Sequence, residues 1–109
     1  MRSVDRMDRV NAHLLRVLSK IVQEEIADSS DLITLTDATT TRDLKQVTVS
    51  ISAAQQVGEY VRRLNARKEQ IRQKLRPLLD FKVIPYIIFV EDSRGDDINR
   101  VEALLDTLP

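Results

Sequence analysis

Along the first quarter of the chain Val10, Leu14, Val17, Leu18 and Ile21 recur at three- and four-residue spacing, with Met7 before them and Ile26 after. That period places them on one face of a helix and predicts an amphipathic segment from about Asp5 to Asp28. Ser3 or Asp5 can cap its start, and Asp28-Ser29-Ser30 marks its stop. The period then drops to two. Ile33 and Leu35 alternate with Thr34 and Thr36, and Val47, Val49 and Ile51 alternate with Thr48, Ser50 and Ser52. Both runs predict strands with one face in the core and one polar face. The polar link Thr41-Arg42-Asp43-Leu44-Lys45 is short enough to make the pair an antiparallel hairpin.

Ser52-Ala53-Ala54-Gln55 has capping-box spacing and predicts the start of a second helix, with Val57, Val61 and Leu64 inward. A third helix puts Ile71, Leu75 and Leu78 on one face and ends near Asp80. Its continuity with the second is weakest at Asn65-Ala66-Arg67, because Asn competes with the backbone for hydrogen bonds. Val83 to Val90 reads as a third strand, with Pro85 at its start or on a sheet edge. Asp97 to Leu108 reads as a short last helix, capped by Asp96 or Asp97. A strand that leaves through helices and returns makes a right-handed crossover, so strands two and three are expected to be parallel. The expected fold is α+β, with a mixed three-stranded sheet and helices mainly on one face. Tyr86 to Val90 would then need cover on their second side, which the last helix is expected to supply.

Length and composition narrow the function classes. One hundred and nine residues imply a single domain over 1–109. The absence of cysteine removes disulfide, thiol and zinc-finger chemistry. With Gly58 and Gly95 as the only glycines, no phosphate-cradling loop or GxxG loop is present. Aromatic residues make up 4 % of the chain, which argues against base-stacking platforms. No apolar run approaches a membrane span and no signal peptide is evident, so the expected address is cytoplasmic. His13 has no second histidine or cysteine beside it, and Asp92, Asp96 and Asp97 miss the EF-hand spacing. Turn and capping duty suits those aspartates. No nucleophile–base pair is visible, so no catalytic activity, cofactor, metal or small-molecule substrate is expected.

The formal net charge is zero, yet residues 61–90 carry eight basic and two acidic groups, a local +6. Arg62, Arg63, Arg67, Lys68, Arg72, Lys74 and Arg76 lie on the two central helices. On a helical wheel Lys68, Arg72 and Arg76 form one row, while Arg63, Arg67 and Lys74 flank the apolar stripe on its other side. Arginine dominates, and its planar fork suits phosphate oxygens. Arg42 and Lys45 in the hairpin turn, and Lys82 before strand three, can extend the footprint. Such a surface grips backbone and shape more than it reads bases.

Several segments taken together resemble the ribosome-binding factor A family. They are Arg9-Val10 with Leu14, Leu18, Ile21 and Glu25-Ile26; Leu35-Thr36-Asp37; Thr41-Arg42-Asp43-Leu44; Val47-Thr48-Val49-Ser50; Ile71-Arg72 with Leu75; Lys82-Val83-Ile84-Pro85; and Phe89-Val90-Glu91-Asp92. The similarity spans about residues 6 to 105 and is carried by joint order and spacing. It implies a type II KH-like αββααβ fold. It also implies binding to immature 30S small subunits through 16S rRNA, in support of late small-subunit maturation and rRNA processing. The ten cations named above become its expected RNA-binding residues, in a monomer without membrane contact. One departure stands out. The family kinks its central helices at Ala-x-Gly, where this chain has Ala66-Arg67-Lys68. Lysine favours helix continuity there and adds a cation. The alternative reading is a protein-interaction module or a homodimer joined through strand three, suggested by its apolar run. A DNA-binding protein is a weaker fit, because the basic helices lack clustered Asn or Gln for base edges.

Overall fold

The computed structural model describes residues 6–27 and 32–92. The expected caps and stop of the first helix, and the last helix with its covering role, lie outside the described residues. Within them the order is α1 (Arg6–Glu25), β1 (Ile33–Thr40), β2 (Gln46–Ala53), α2 (Val57–Ala66), α3 (Lys68–Leu75), a 3-10 turn (Arg76–Leu78) and β3 (Tyr86–Glu91). The sheet order is β1-β2-β3. β1 and β2 are antiparallel and β2 and β3 parallel, so α2 and α3 form the expected crossover.

The core follows the two periods. Leu14, Leu18, Ile21 and Val22 of α1 are buried, and so are Tyr60 and Leu64 of α2 and Ile71 and Leu75 of α3. They meet Val47, Val49 and Ile51 of β2 and Ile87 and Phe89 of β3, which alternate inward at period two. β1 keeps Ile33 and Leu35 inward, then shifts phase. Leu35 pairs with Ile51 but Asp37 pairs with Ser50, so a bulge at Thr36 hands the inward positions to Ala38 and Thr40.

Four boundaries differ from expectation, three of them for an evident local reason. α1 ends at Glu25, three residues early. α2 begins at Val57, not after Ser52: Ser52 pairs with Thr34 inside β2, and the chain turns into the helix at Gln56, which holds φ 58° with no side-chain cap. α3 ends at Leu75, and its last turn tightens into 3-10 geometry at Pro77. β3 starts at Tyr86, not Val83, because Pro85 lacks the N–H that would extend the ladder. Its first rung is Tyr86 N–H donating to the Lys45 carbonyl at 2.8 Å.

The central helices bend despite the lysine at position 68. Arg67 adopts φ −107° and ψ 12°, closing α2 and opening α3. That bridge-region conformation is open to any L-residue, so the bend needs no glycine. A side-chain cluster holds it. Glu25, at the end of α1, has a side chain only 8 % exposed. Its carboxylate lies 2.6 Å from Lys74 Nζ and 3.4 Å from Arg67 Nη1, and Arg67 also donates to the Glu25 carbonyl at 3.0 Å. The Lys74 hydrogen bond, helped by Arg67, holds the Glu25 carboxyl below the ordinary glutamate range against the opposing effect of its burial.

The break falls at Arg67, within the Asn65-Ala66-Arg67 stretch where continuity was expected to be weakest, but the Asn65 side chain bonds a strand and not its own helix backbone. Its amide donates to the Phe89 carbonyl and accepts from the Phe89 N–H, both at 2.9 Å, so it pairs with the outer edge of β3. At the opposite edge Asn11 Oδ1 accepts from the Thr40 N–H at 2.9 Å.

Asn65→Ala should lower stability by about 2 kcal/mol in denaturant melts, since two backbone groups of Phe89 lose their partners. Amide exchange at Phe89 should accelerate with it. An unchanged melt would mean that water replaces the side chain at no cost. Glu25→Gln should cost about 1–2 kcal/mol near neutral pH. Because the native carboxyl titrates low, its contribution is present above the unfolded-state value and lost as pH falls through the native one. The difference between wild type and Glu25→Gln should therefore shrink on acidification. A constant difference from neutral to strongly acidic pH would remove the ion cluster as its source.

Candidate nucleic-acid interface

The structure divides the basic residues of the central helices into two groups. Arg67 and Lys74 face the end of α1 and are bound to Glu25. Arg62, exposed on α2, pairs with Glu59 one helical turn away. Arg63 is half-buried and also has an interaction of its own. Arg67 and Lys74 thus lie on the α1 side of the crossover, and Arg62 and Arg63 lie on its first helix.

The row expected from the helical wheel, Lys68, Arg72 and Arg76, runs along α3 into the 3-10 turn. Lys68 and Arg76 are exposed, and neither makes an ion pair among the described residues. Arg72 is different. Its Nε and Nη2 both donate to the Ile84 carbonyl, at 3.1 and 2.8 Å, and Glu69 stands 3.7 Å from its Nη1. It ties α3 to the segment that leads into β3. Lys82, on that segment, is exposed and also without an ion pair among the described residues. Arg72, Arg76 and Lys82 line one groove of about 360 Å³ with Phe81, Val83 and Ile84.

Arg42 and Lys45 project from the β1–β2 turn and are exposed. The turn is fixed by Asp43, whose Oδ1 accepts from the Thr41 hydroxyl at 2.7 Å and the Lys45 N–H at 3.1 Å. Those bonds, the Thr41 one foremost, keep the Asp43 carboxyl below the ordinary aspartate range. Leu44 completes the turn at φ 61°. Asp43 and Leu44 share a second groove with Lys82, so the hairpin tip borders the α3 row. Asp80 also lines that groove.

Two residues of this region escaped the sequence. Glu25 looked like one acid among 17, and nothing in its spacing says that two cations will fold back onto it. Tyr86 stands 57 % exposed, with the Arg72 guanidinium 4.2 Å from its ring centroid. A count of aromatics discounted it, although its place just after Pro85 and out of phase with Ile87 and Phe89 was available as a signal. Among the described residues no group of acidic and histidine side chains could hold a metal ion, and no helix is long and apolar enough to cross a membrane.

The assembled surface is a cationic edge on a mixed sheet, with no constellation for bond-making chemistry on it among the described residues. The sequence matches the model of the family described as ribosome-binding factor A over residues 6–105. A ribosome-binding factor A of Chlorobaculum tepidum is 34 % identical, covering 94 % of this chain and 90 % of that protein. One from Opitutus terrae is 26 % identical over 95 % of this chain and 88 % of its own. The fold is similar to the crystal structure of ribosome-binding factor A from Thermus thermophilus, with a TM-score of 0.70 at 16 % identity over 80 % of this chain and 97 % of that one. It is also similar, at TM-score 0.58 and 21 % identity over 75 % of this chain and 94 % of the other, to a Thermus thermophilus ribosome binding factor A model fitted into a cryo-electron-microscopy map of a 30S complex. With element order, sheet topology and nearly the whole sequence in agreement, the chain belongs to the ribosome-binding factor A family.

Proposed function

We propose that this protein is a cytoplasmic, monomeric assembly factor that binds the immature 30S subunit through phosphates of 16S rRNA and supports late maturation and rRNA processing. The observation that carries the reading is the row Lys68–Arg72–Arg76, continued by Lys82 along one groove. Lys68, Arg76 and Lys82 have no carboxylate partner among the described residues, so an incoming phosphate displaces no internal ion pair there. Arg42 and Lys45 at the bordering hairpin tip extend the contact. Arg72 lends charge while its guanidinium stays on Ile84. Arg67 and Lys74 act from behind, by holding the bend that aims α3, and Arg62 and Arg63 stand at the margin. Family membership, and the 30S complex of the Thermus relative, support the choice of partner.

The mechanism is stoichiometric: a rigid body holds one RNA conformation, and no bond is made or broken. The alternative, a homodimer through β3, gains no support from the edge of that strand, where Asn65 occupies both backbone groups of Phe89.

With Arg42, Lys45, Lys68, Arg76 and Lys82 as the contacts, the log–log salt dependence of binding should have a slope of about −3.5 to −4.5. Reversing two of them in Lys68→Glu/Arg76→Glu should keep the domain folded, since the lost row repulsion and the lost helix-end attraction of Arg76 oppose each other at about a few tenths of a kcal/mol each. It should flatten the slope by about 1.5 and strip the protein from small-subunit precursors in sedimentation at moderate salt. A folded double variant that pellets with precursors like wild type at both low and moderate salt would rule out this surface.

A further inference from the structure

The Arg72–Tyr86 stack is the feature that phosphate binding leaves unused. Arg72 is fixed by two donors on one carbonyl, so its guanidinium plane cannot turn to follow a phosphate without breaking both bonds. Tyr86 sits on the opposite side of β3 from the core residues Ile87 and Phe89 and is 57 % exposed although one ring face is under the guanidinium. Its remaining surface is therefore largely in water. An exposed aromatic held at the first rung of a strand gives up little conformational freedom when something settles on it. The groove that Arg72 shares with Arg76 and Lys82 adds two exposed cations beside the stack.

We infer that Tyr86, backed by Arg72, is a stacking platform for one unpaired nucleobase of a single-stranded RNA segment, whose neighbouring phosphates lie on Arg76 and Lys82. The inference rests on the RNA-binding reading and adds to it a preference for unpaired RNA over duplex. The occupant follows from the combination. An aromatic face takes any base, flanking cations take its backbone, and Arg72 enriches the stack as a third layer. A duplex, whose bases are stacked on each other, can use the cations but not the ring. The preference is for unpaired structure and not for a given base, because nothing on the platform reads base edges.

The test compares a single-stranded RNA of about twelve nucleotides with a duplex of the same sequence, by fluorescence anisotropy, for wild type, Tyr86→Phe, Tyr86→Leu and Arg76→Gln/Lys82→Gln. Thermal melts accompany each variant. The expected result is a single-strand preference in wild type that Tyr86→Phe keeps within about twofold. Tyr86→Leu should lose about tenfold on the single strand with no change on the duplex and no change in salt slope. Arg76→Gln/Lys82→Gln should weaken both RNAs and flatten the slope by about 1.5.

Three outcomes overturn the platform. In the first, Tyr86→Leu binds the single strand like wild type while the cation variant fails, which leaves phosphate binding standing without the ring. In the second, Tyr86→Leu weakens single strand and duplex alike, which makes the ring a prop for Arg72. In the third, Tyr86→Leu binds RNA normally yet leaves small-subunit precursors in sedimentation, which assigns the ring to a ribosomal protein. Wild-type binding by the cation variant as well would bring down the RNA reading itself.

Discussion

The Glu25 side chain is 8 % exposed, and its carboxylate is met by two cations of the crossover helices, Arg67 and Lys74. The consequence reaches well beyond one ion cluster. α1 leaves the sheet at Glu25, and α2 hands over to α3 at Arg67. Binding Arg67 and Lys74 to the end of α1 sets the direction in which α3 departs. The opposite side of α3, with Lys68, Arg72 and Arg76, is thereby turned away from α1. The basic stretch thus serves two purposes that its sequence does not separate: some of its charges hold the body together, and the others are left outside.

The sheet shows the same economy with polar side chains. A three-stranded sheet has two edges, and open edges invite pairing with other chains. Asn11 from α1 meets β1 at Thr40, and Asn65 from α2 meets β3 at Phe89. Because the β3 contact satisfies both backbone groups of one residue, it acts as a one-residue substitute for a neighbouring strand. It also ties the crossover helix to the strand it leads to, which joins two segments twenty-four residues apart in sequence.

The elements were legible because burial imposes its period on the sequence. Leu14–Leu18–Ile21 and Val47–Val49–Ile51 could hardly have been read otherwise, and the parallel return of strand three followed from the need for a crossover. What escaped was set by contacts remote in sequence or by backbone angles that no residue type announces. Gln56 holds a left-handed turn that sequence chemistry would assign to glycine or asparagine, and this moved the helix start away from an attractive capping box. Thr36 is a bulge in a run that reads as plain alternation. Lys68 suggested a straight helix, whereas the break falls at Arg67, inside the stretch the sequence marked as weakest, with the Arg67 side chain bound to Glu25. The row along α3 was legible from the wheel. The withdrawal of Arg67 and Lys74 from it was not, since Glu25 lies forty-two residues before Arg67.

The exposed row is costly for an isolated protein. Like charges four apart on a helix repel by about a few tenths of a kcal/mol per pair, and Lys68–Arg72–Arg76 contains two such pairs. Three features make the row tolerable, the first being Glu69 at 3.7 Å from Arg72 Nη1. Arg72 and Arg76 lie where α3 ends, next to the negative pole of the helix and its unpaired carbonyls. Arg72 further spreads its charge onto a backbone carbonyl and an aromatic face. At the other end of the crossover Arg62 is already matched by Glu59, so the repulsion is not shared evenly along the two helices. It is concentrated where α3, the loop before β3 and the hairpin tip converge. An arriving polyanion relieves that repulsion when it binds, whereas a neutral ligand does not. The gradient along the crossover therefore favours one end of the molecule for a polyanion while the chain as a whole remains neutral.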